Sequence, residues 1–206
     1  YLLNIASSDV RIRSQSIKAI QEDLKLSSQI RADFYVLHFG SNPDRDKGID
    51  ITRESLAGIL AKKFHPVVLM ENTAGEGSRV GYNIEDIADT LKDFGSRLGL
   101  CLDSAHLCAA GVNLLCYKEL DIFLKDLDKK LGRERIRLLH INDSLYQCRS
   151  RKDRHQHIGE GFIKDKGISN FINHPKLRDL PLILETPRAE ERDDIKNLNR
   201  VKYLRK

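Results

Sequence analysis

The chain has no tryptophan, one methionine and four cysteines among its 206 residues. Cys101, Cys108, Cys116 and Cys148 form no C-x-x-C pair, which excludes a zinc ribbon, and they lack the spacing of a disulfide scaffold. Thiols in that pattern suit a reducing compartment. No apolar run approaches the roughly 20 residues that cross a bilayer, and neither a signal peptide nor a low-complexity linker is evident. Gly75, Gly77 and Gly81 lack the spacing of a P-loop or dinucleotide fingerprint and read as a flexible turn. Gly159 and Gly161 read as a sharp turn. Ser104 and Ser144 have no evident partner base and Cys108 reads as packing, so covalent nucleophilic catalysis has no candidate.

What is present fits one globular domain, with 40% hydrophobic and 32% charged residues. The opening YLLNIASSD has no initiator Met and starts within an apolar stretch, so we expect a chain that begins inside a longer protein. A net charge of +5 leans toward a polyanionic partner, although modest positive charge is common. Its distribution says more: Arg149, Arg151, Lys152 and Arg154 crowd one loop.

Periodicity predicts a first helix over Ser14–Ile30, with Ile17, Ile20 and Leu24 on one face. Further helices are marked by Leu56, Ile59 and Leu60, by Ile84 to Phe94 after an Asn83 cap, and by Leu120 to Leu131 before Gly132. A short helix at Ile168–Ile172 and a last one from about Arg192 complete the set. Strands are expected at Phe34–His38, Val67–Met70, Leu98–Asp103, Ile136–Asn142 and Leu180–Thr186, with YLLNI as the tail of a sixth. A long loop spans roughly Asp143–Gly161. This alternation argues an α/β class with parallel strands. A closed barrel of eight would need more strands before Tyr1.

Five of the apolar runs end in a residue able to bind a metal: His38, Glu71, Asp103, His140 and Glu185. The carboxyl ends of parallel strands open onto one face, and that face holds the active site in such folds. His106 follows Asp103 by three residues, and Asp153 and His155 share an extended loop. One such His or acid is usually structural; eight converging on one mouth would repel each other without metal. Carboxylates and imidazoles without thiolates suit Zn²⁺, with Mn²⁺ or Fe²⁺ as alternatives.

ENTAGEGSRVG at 71–81, CLDSAHLCAAG at 101–111, HINDS at 140–144, SRKDRHQHIGEG at 150–161 and PLILETP at 181–187 resemble the signature blocks of the endonuclease IV family. These are metal-dependent apurinic/apyrimidinic (AP) endonucleases of base excision repair. The resemblance implies a (β/α)8 TIM barrel, here lacking its first strands, with residues 1–206 as a single N-terminally truncated domain. It also implies a trinuclear zinc site that cuts double-stranded DNA 5′ to an abasic site by a metal-activated hydroxide, leaving a 3′-hydroxyl. Carried over, Glu71 would bridge the first two ions with His38 on the first. Asp103, His140 and Glu185 would serve the second; His106, Asp153 and His155 would serve the third. Glu71 and Glu185 are the catalytic candidates. Arg149, Arg151, Lys152 and Arg154 would contact DNA phosphates, and Tyr1 and Leu2 match a loop that wedges into the duplex at the lesion.

The resemblance has departures. HFGSN at 38–42 stands where the family reads HPGSH, and Arg149-Ser150 replaces a Gly-Ser. A further His ligand of the first zinc would fall before Tyr1. The family setting implies a complete monomer away from membranes, in the cytoplasm or nucleoid of a bacterium or archaeon, or in the nucleus or mitochondrion of a eukaryote. Two other readings compete: a single-metal sugar isomerase or epimerase of the same superfamily, which shares the Glu-Asp-His-Glu tetrad, and an inactive barrel fragment with exposed strand edges. His106 with Asp153 and His155 favours the nuclease, because one metal has no use for a second ligand cluster.

Overall fold

The computed structural model describes residues 3–206; Tyr1 and Leu2, the expected lesion wedge, lie outside the described residues. Strand and helix alternate through β1 (Phe34–His38), β2 (Val67–Glu71), β3 (Leu98–Asp103) and β4 (Ile136–His140). Between them run α2 (Arg45–Ile59), α3 (Ile84–Leu91), α4 (Ser104–Ala110) and α5 (Tyr117–Leu131). α1 (Val10–Gln29) precedes β1. After β4 come a hairpin, β5 (Asp143–Ser144) and β6 (His155–Gln156), then α6 (Lys164–Ile172), β7 (Leu182–Ile183) and α7 (Arg192–Leu204).

The main sheet has the order β1-β2-β3-β4-β7, and every pair is parallel. It is an open arc of a TIM barrel. A period of two assigns its faces. Val68, Met70, Leu100, Leu102 and Leu139 pack outward in the main core that the helices share. Leu69, Cys101 and Leu138, with Phe34, Val36 and Val67, form a smaller apolar layer on the opposite, inner face. His38, Glu71, Asp103 and His140 each lie two residues beyond a member of that layer, so the pleat turns them onto the same inner face.

Several boundaries differ from the sequence expectation, among them that β2 runs on to Glu71, α3 ends at Leu91 and α6 begins at Lys164. α1 begins at Val10 rather than Ser14 because Asp9 caps it, accepting from the Arg11 and Ile12 N–H groups at 2.8 and 3.2 Å. Residues 3–5 of YLLNI form no strand; Asn4 instead accepts from the Ser41 N–H at 3.0 Å and donates to the Ser41 carbonyl at 2.9 Å. The last strand shrinks to Leu182–Ile183, because the Glu185 N–H turns from the ladder to the Asn142 side chain at 2.9 Å. β4 stops at His140 for a related reason: the Asn142 N–H donates to Ser104 Oγ at 2.9 Å. Among the described residues, no helix is long and apolar enough to cross a membrane.

Candidate metal centre

Each ligand-type side chain arrives from a strand end or just past one, from the first turn of α4, or from the hairpin. His38 and Glu71 are register partners at the ends of β1 and β2, and Asp103 and His140 are partners at the ends of β3 and β4. Asp103 also caps α4, its Oδ1 accepting from the His106 N–H at 2.8 Å, which turns that ring back over the sheet. β5 and β6 fold the basic loop over the mouth and deliver Asp153 and His155.

Three overlapping donor groups result: His38, Glu71 and His106; Glu71, Asp103, His140 and Glu185; and Asp103, His106 and His155. The second contains the four residues that the family resemblance puts on one ion. Asp153 joins through His106, with Oδ1 at 3.1 Å from the ring Nε2. Glu71, only 2% exposed, meets three imidazoles: His140 at 3.1 Å, His106 at 3.3 Å and His38 at 3.4 Å. His140 Nδ1 also lies 3.1 Å from Glu185 Oε2.

Two imidazoles are oriented as ligands are. The His106 Nδ1 donates to the Asn72 carbonyl at 2.8 Å, and the His155 Nδ1 donates to the Glu185 carbonyl at 3.0 Å. A carbonyl only accepts, so each neutral ring keeps its Nε2 lone pair for the centre. His155 Nε2 is buried without a hydrogen-bond partner, at 3.7 Å from Asp153 and 4.0 Å from Asp103. An orphaned nitrogen aimed at two carboxylates fits a divalent cation. Burial pushes the Cys101 thiol up to about 12, so the donor set stays imidazole and carboxylate.

Titration of the metal-free centre follows from these contacts. Burial pulls His106 down, but Asp103, Asp153 and Glu71 outweigh it and hold the ring well above its ordinary value. His140 is likewise raised against burial by Cys101, Glu185 and Glu71. Burial raises Glu71, yet its imidazole partners hold it well below the carboxylate range. Asp153 is held at about 2, by His106 first and then by Arg79 and His155. The sign follows. Raised histidines stabilise the fold fully below their unfolded value of 6.5 and lose that contribution as pH rises. Asp153 contributes above its unfolded value of 3.8 and loses it as pH falls toward 2. Chelated protein is therefore expected to melt at progressively lower temperature as pH rises above 6.5. Zinc affinity should rise over the same range, because bound metal displaces those protons. Melting curves in chelator and in zinc check this; a chelated melting temperature that climbs with pH would contradict it.

The remaining sequence candidates are surface groups of the loop. Arg151 stacks on Tyr82 and Lys152 on Tyr146, each 4.5 Å from the ring centre, and Arg154 pairs with Glu76 at 3.6 Å. Arg149 and Arg151 hold left-handed backbones, φ 70° and 51°. Such geometry costs a residue with a Cβ about 1–2 kcal/mol. Their N–H groups donate to the Cys108 and Ala109 carbonyls at the end of α4, at 3.0 and 3.1 Å, which holds the turn in place. Ser104 and Ser144 are structural: their hydroxyls donate to the Asn142 and Tyr146 carbonyls at 2.7 and 2.9 Å. Asn42 is too, donating to the Ala6 carbonyl at 2.7 Å. Phe39 is fully buried against Gly81, where a Cβ would fall 2.3 Å from the ring, so Phe39 needs that glycine.

Sequence reasoning passed over Asn72 and Asn142. Asn72 Oδ1 accepts from the Asp103 N–H at 2.7 Å, and Asn142 Nδ2 donates to Asp103 Oδ2 at 2.6 Å. Their positions, one and two residues past strand-end ligands, were the available signal.

Residues 1–204 match the family model described as xylose isomerase-like TIM barrel. A probable endonuclease 4 from Halothermothrix orenii is 39% identical over 211 aligned positions, covering all of this chain and 75% of that protein. This chain belongs to the endonuclease IV family. The crystal structure of endonuclease IV from Thermus thermophilus superposes with a TM-score of 0.85 at 30% identity, covering 98% of this chain and 72% of that one. A D-tagatose 3-epimerase-like protein superposes at 0.77 with 21% identity, over 98% of this chain and 73% of its own, which shows the shared fold alone. An endonuclease IV chain thus carries the tetrad, a second cluster of His106, Asp153 and His155, and a basic loop beside both.

Proposed function

We propose that this chain carries the active site of a metal-dependent AP endonuclease, cutting double-stranded DNA 5′ to an abasic site and leaving a 3′-hydroxyl. The observation that carries the reading is the second cluster: His106, Asp153 and the orphaned His155 nitrogen lie beside the tetrad rather than apart from it. A sugar epimerase needs only one metal, and nothing in that reading uses these residues.

Divalent cations bound there, zinc by preference of the donors, would lower the pKa of water and offset charge on the departing oxygen. His38 and Glu71 would hold one, Glu71 with Asp103, His140 and Glu185 a second, and His106, Asp153 and His155 a third. Glu71 is the shared carboxylate, and its burial keeps competing water away from its oxygens. Glu185 stands at the exposed rim, its side chain 45% accessible, where substrate would enter. Asn72 fixes the Asp103 backbone, and Asn142 holds its carboxylate against rotation. Arg149, Arg151, Lys152 and Arg154 supply positive charge for backbone phosphates, and Tyr1 and Leu2 keep the proposed wedge role.

The test is incision of a duplex bearing one abasic site, with and without chelator. Cleavage 5′ to the lesion that chelation abolishes and zinc restores is the expected result. Turnover of a ketose with one bound ion and no incision would sink the proposal.

A further inference from the structure

The loop after β2 reaches across the mouth and grips Asp153 twice. The Arg79 guanidinium donates to Asp153 Oδ2 at 2.8 Å, while Oδ1 of the same carboxylate faces His106 Nε2 at 3.1 Å and His155 Nε2 at 3.7 Å. Glu76 accepts from the Asp153 backbone N–H at 3.0 Å and pairs with Arg154 at 3.6 Å. Backbone and side chain of one residue are thus both tied to a segment more than 70 positions away in sequence.

Arg79 is itself anchored. It bridges to Ser41 after β1, its N–H donates to the Glu76 carbonyl at 3.2 Å, and the Asn42 N–H donates to the neighbouring Ser78 carbonyl at 2.9 Å. It also lines a cavity of about 840 Å³ that opens beside His38, with Asn4, Ser41 and Thr73. Asp153, by contrast, sits on a turn that carries two strained arginines, Arg149 and Arg151. Without a partner on Oδ2 the carboxylate could rotate away from the imidazoles.

We propose that Arg79 and Glu76 are positioning residues for the His106, Asp153 and His155 cluster. Arg79 would occupy one carboxylate oxygen so that the other is presented to a cation, and Glu76 would fix the backbone from which it projects. This rests on the reading that the cluster binds a cation. A carboxylate ligand oriented by its own hydrogen bond is the usual arrangement around protein-bound metals, and losing such a partner costs about 10- to 100-fold in metal affinity.

The experiment is a zinc titration of the metal-depleted whole protein, followed by the ring nitrogen resonances of His155, His106 and His140. In the wild type, all three should respond. In Arg79→Ala, the His155 response is expected to need about 10- to 100-fold more zinc, while His140 responds as before and so reports an intact fold. Arg79→Lys should recover most of the loss, and Glu76→Ala should shift His155 in the same direction. A wild-type His155 that ignores zinc would overturn the cation reading of the cluster. A normal wild-type response that Arg79→Ala and Glu76→Ala leave unchanged would overturn the clamp alone.

Discussion

Glu71→Gln is expected to lower single-turnover incision of an abasic duplex by about a thousandfold, or about 4 kcal/mol of barrier. The glutamine keeps the volume of a side chain that is 2% exposed, so the fold has no cavity to absorb. What changes is charge. Glu71 faces His140, His106 and His38 at once, and it is the residue shared by the two donor groups that contain His38 and His140. A neutral amide there removes an anionic ligand from both and points N–H donors at imidazoles. Cations at such centres supply several kcal/mol of charge stabilisation, which sets the scale of the loss. Zinc content measured on the same sample should fall with activity. Retention of incision within about tenfold of the wild type would contradict a central role for this carboxylate.

The second large effect is on stability and lies outside the donor groups. Asp143 is fully buried and accepts from five backbone N–H groups: Ser144, Ile163, Gly159, Gly161 and Lys164, at 2.7 to 3.1 Å. Burial pushes its pKa up against the pull of those amides. Gly161 comes so close that a Cβ would meet Asp143 Oδ1 at 2.4 Å, which explains a glycine at that position. Asp143→Ala strands five donors away from water. Hydrogen bonds to a charged group contribute about 1.5–3 kcal/mol each but do not add fully. A loss of about 4 kcal/mol, or about 10 °C in melting temperature, is expected. The turn at 159–164, after β6, should also become a site of proteolysis. Thermal unfolding with limited proteolysis checks both, and a shift below about 2 °C would refute the role.

The strand ends were legible because two local signals coincide there: an apolar run sets the strand, and a polar residue two steps past an inward side chain marks the mouth. His38, Glu71, Asp103 and His140 follow from that alone. Helices with a long apolar stripe, such as Leu120, Phe123, Leu124 and Leu127 in α5, were equally plain. α4 was not, because its seven residues are nearly all buried and carry no amphipathic stripe. Nor was the start of α1, which depends on one capping aspartate. The supports of the centre were hidden for a different reason. Asn142 holds Glu185 from 43 residues away and Arg79 reaches Asp153 across 74, and nothing local distinguishes such residues from solvated polar ones. Arg149 was readable as charge but not as strain, since its left-handed backbone comes from α4 carbonyls distant in sequence.

The order of strands carries one more consequence. Glu71, Asp103 and His140 stand on the three central strands and are buried, whereas His38 and the Glu185 side chain stand at the two margins and are about half exposed. Margins of a sheet open by small local excursions long before its middle does. The centre is therefore graded in exposure: a buried keel flanked by two half-exposed rims. A cation bound at either rim would then be expected to exchange with solution faster than one held over the keel.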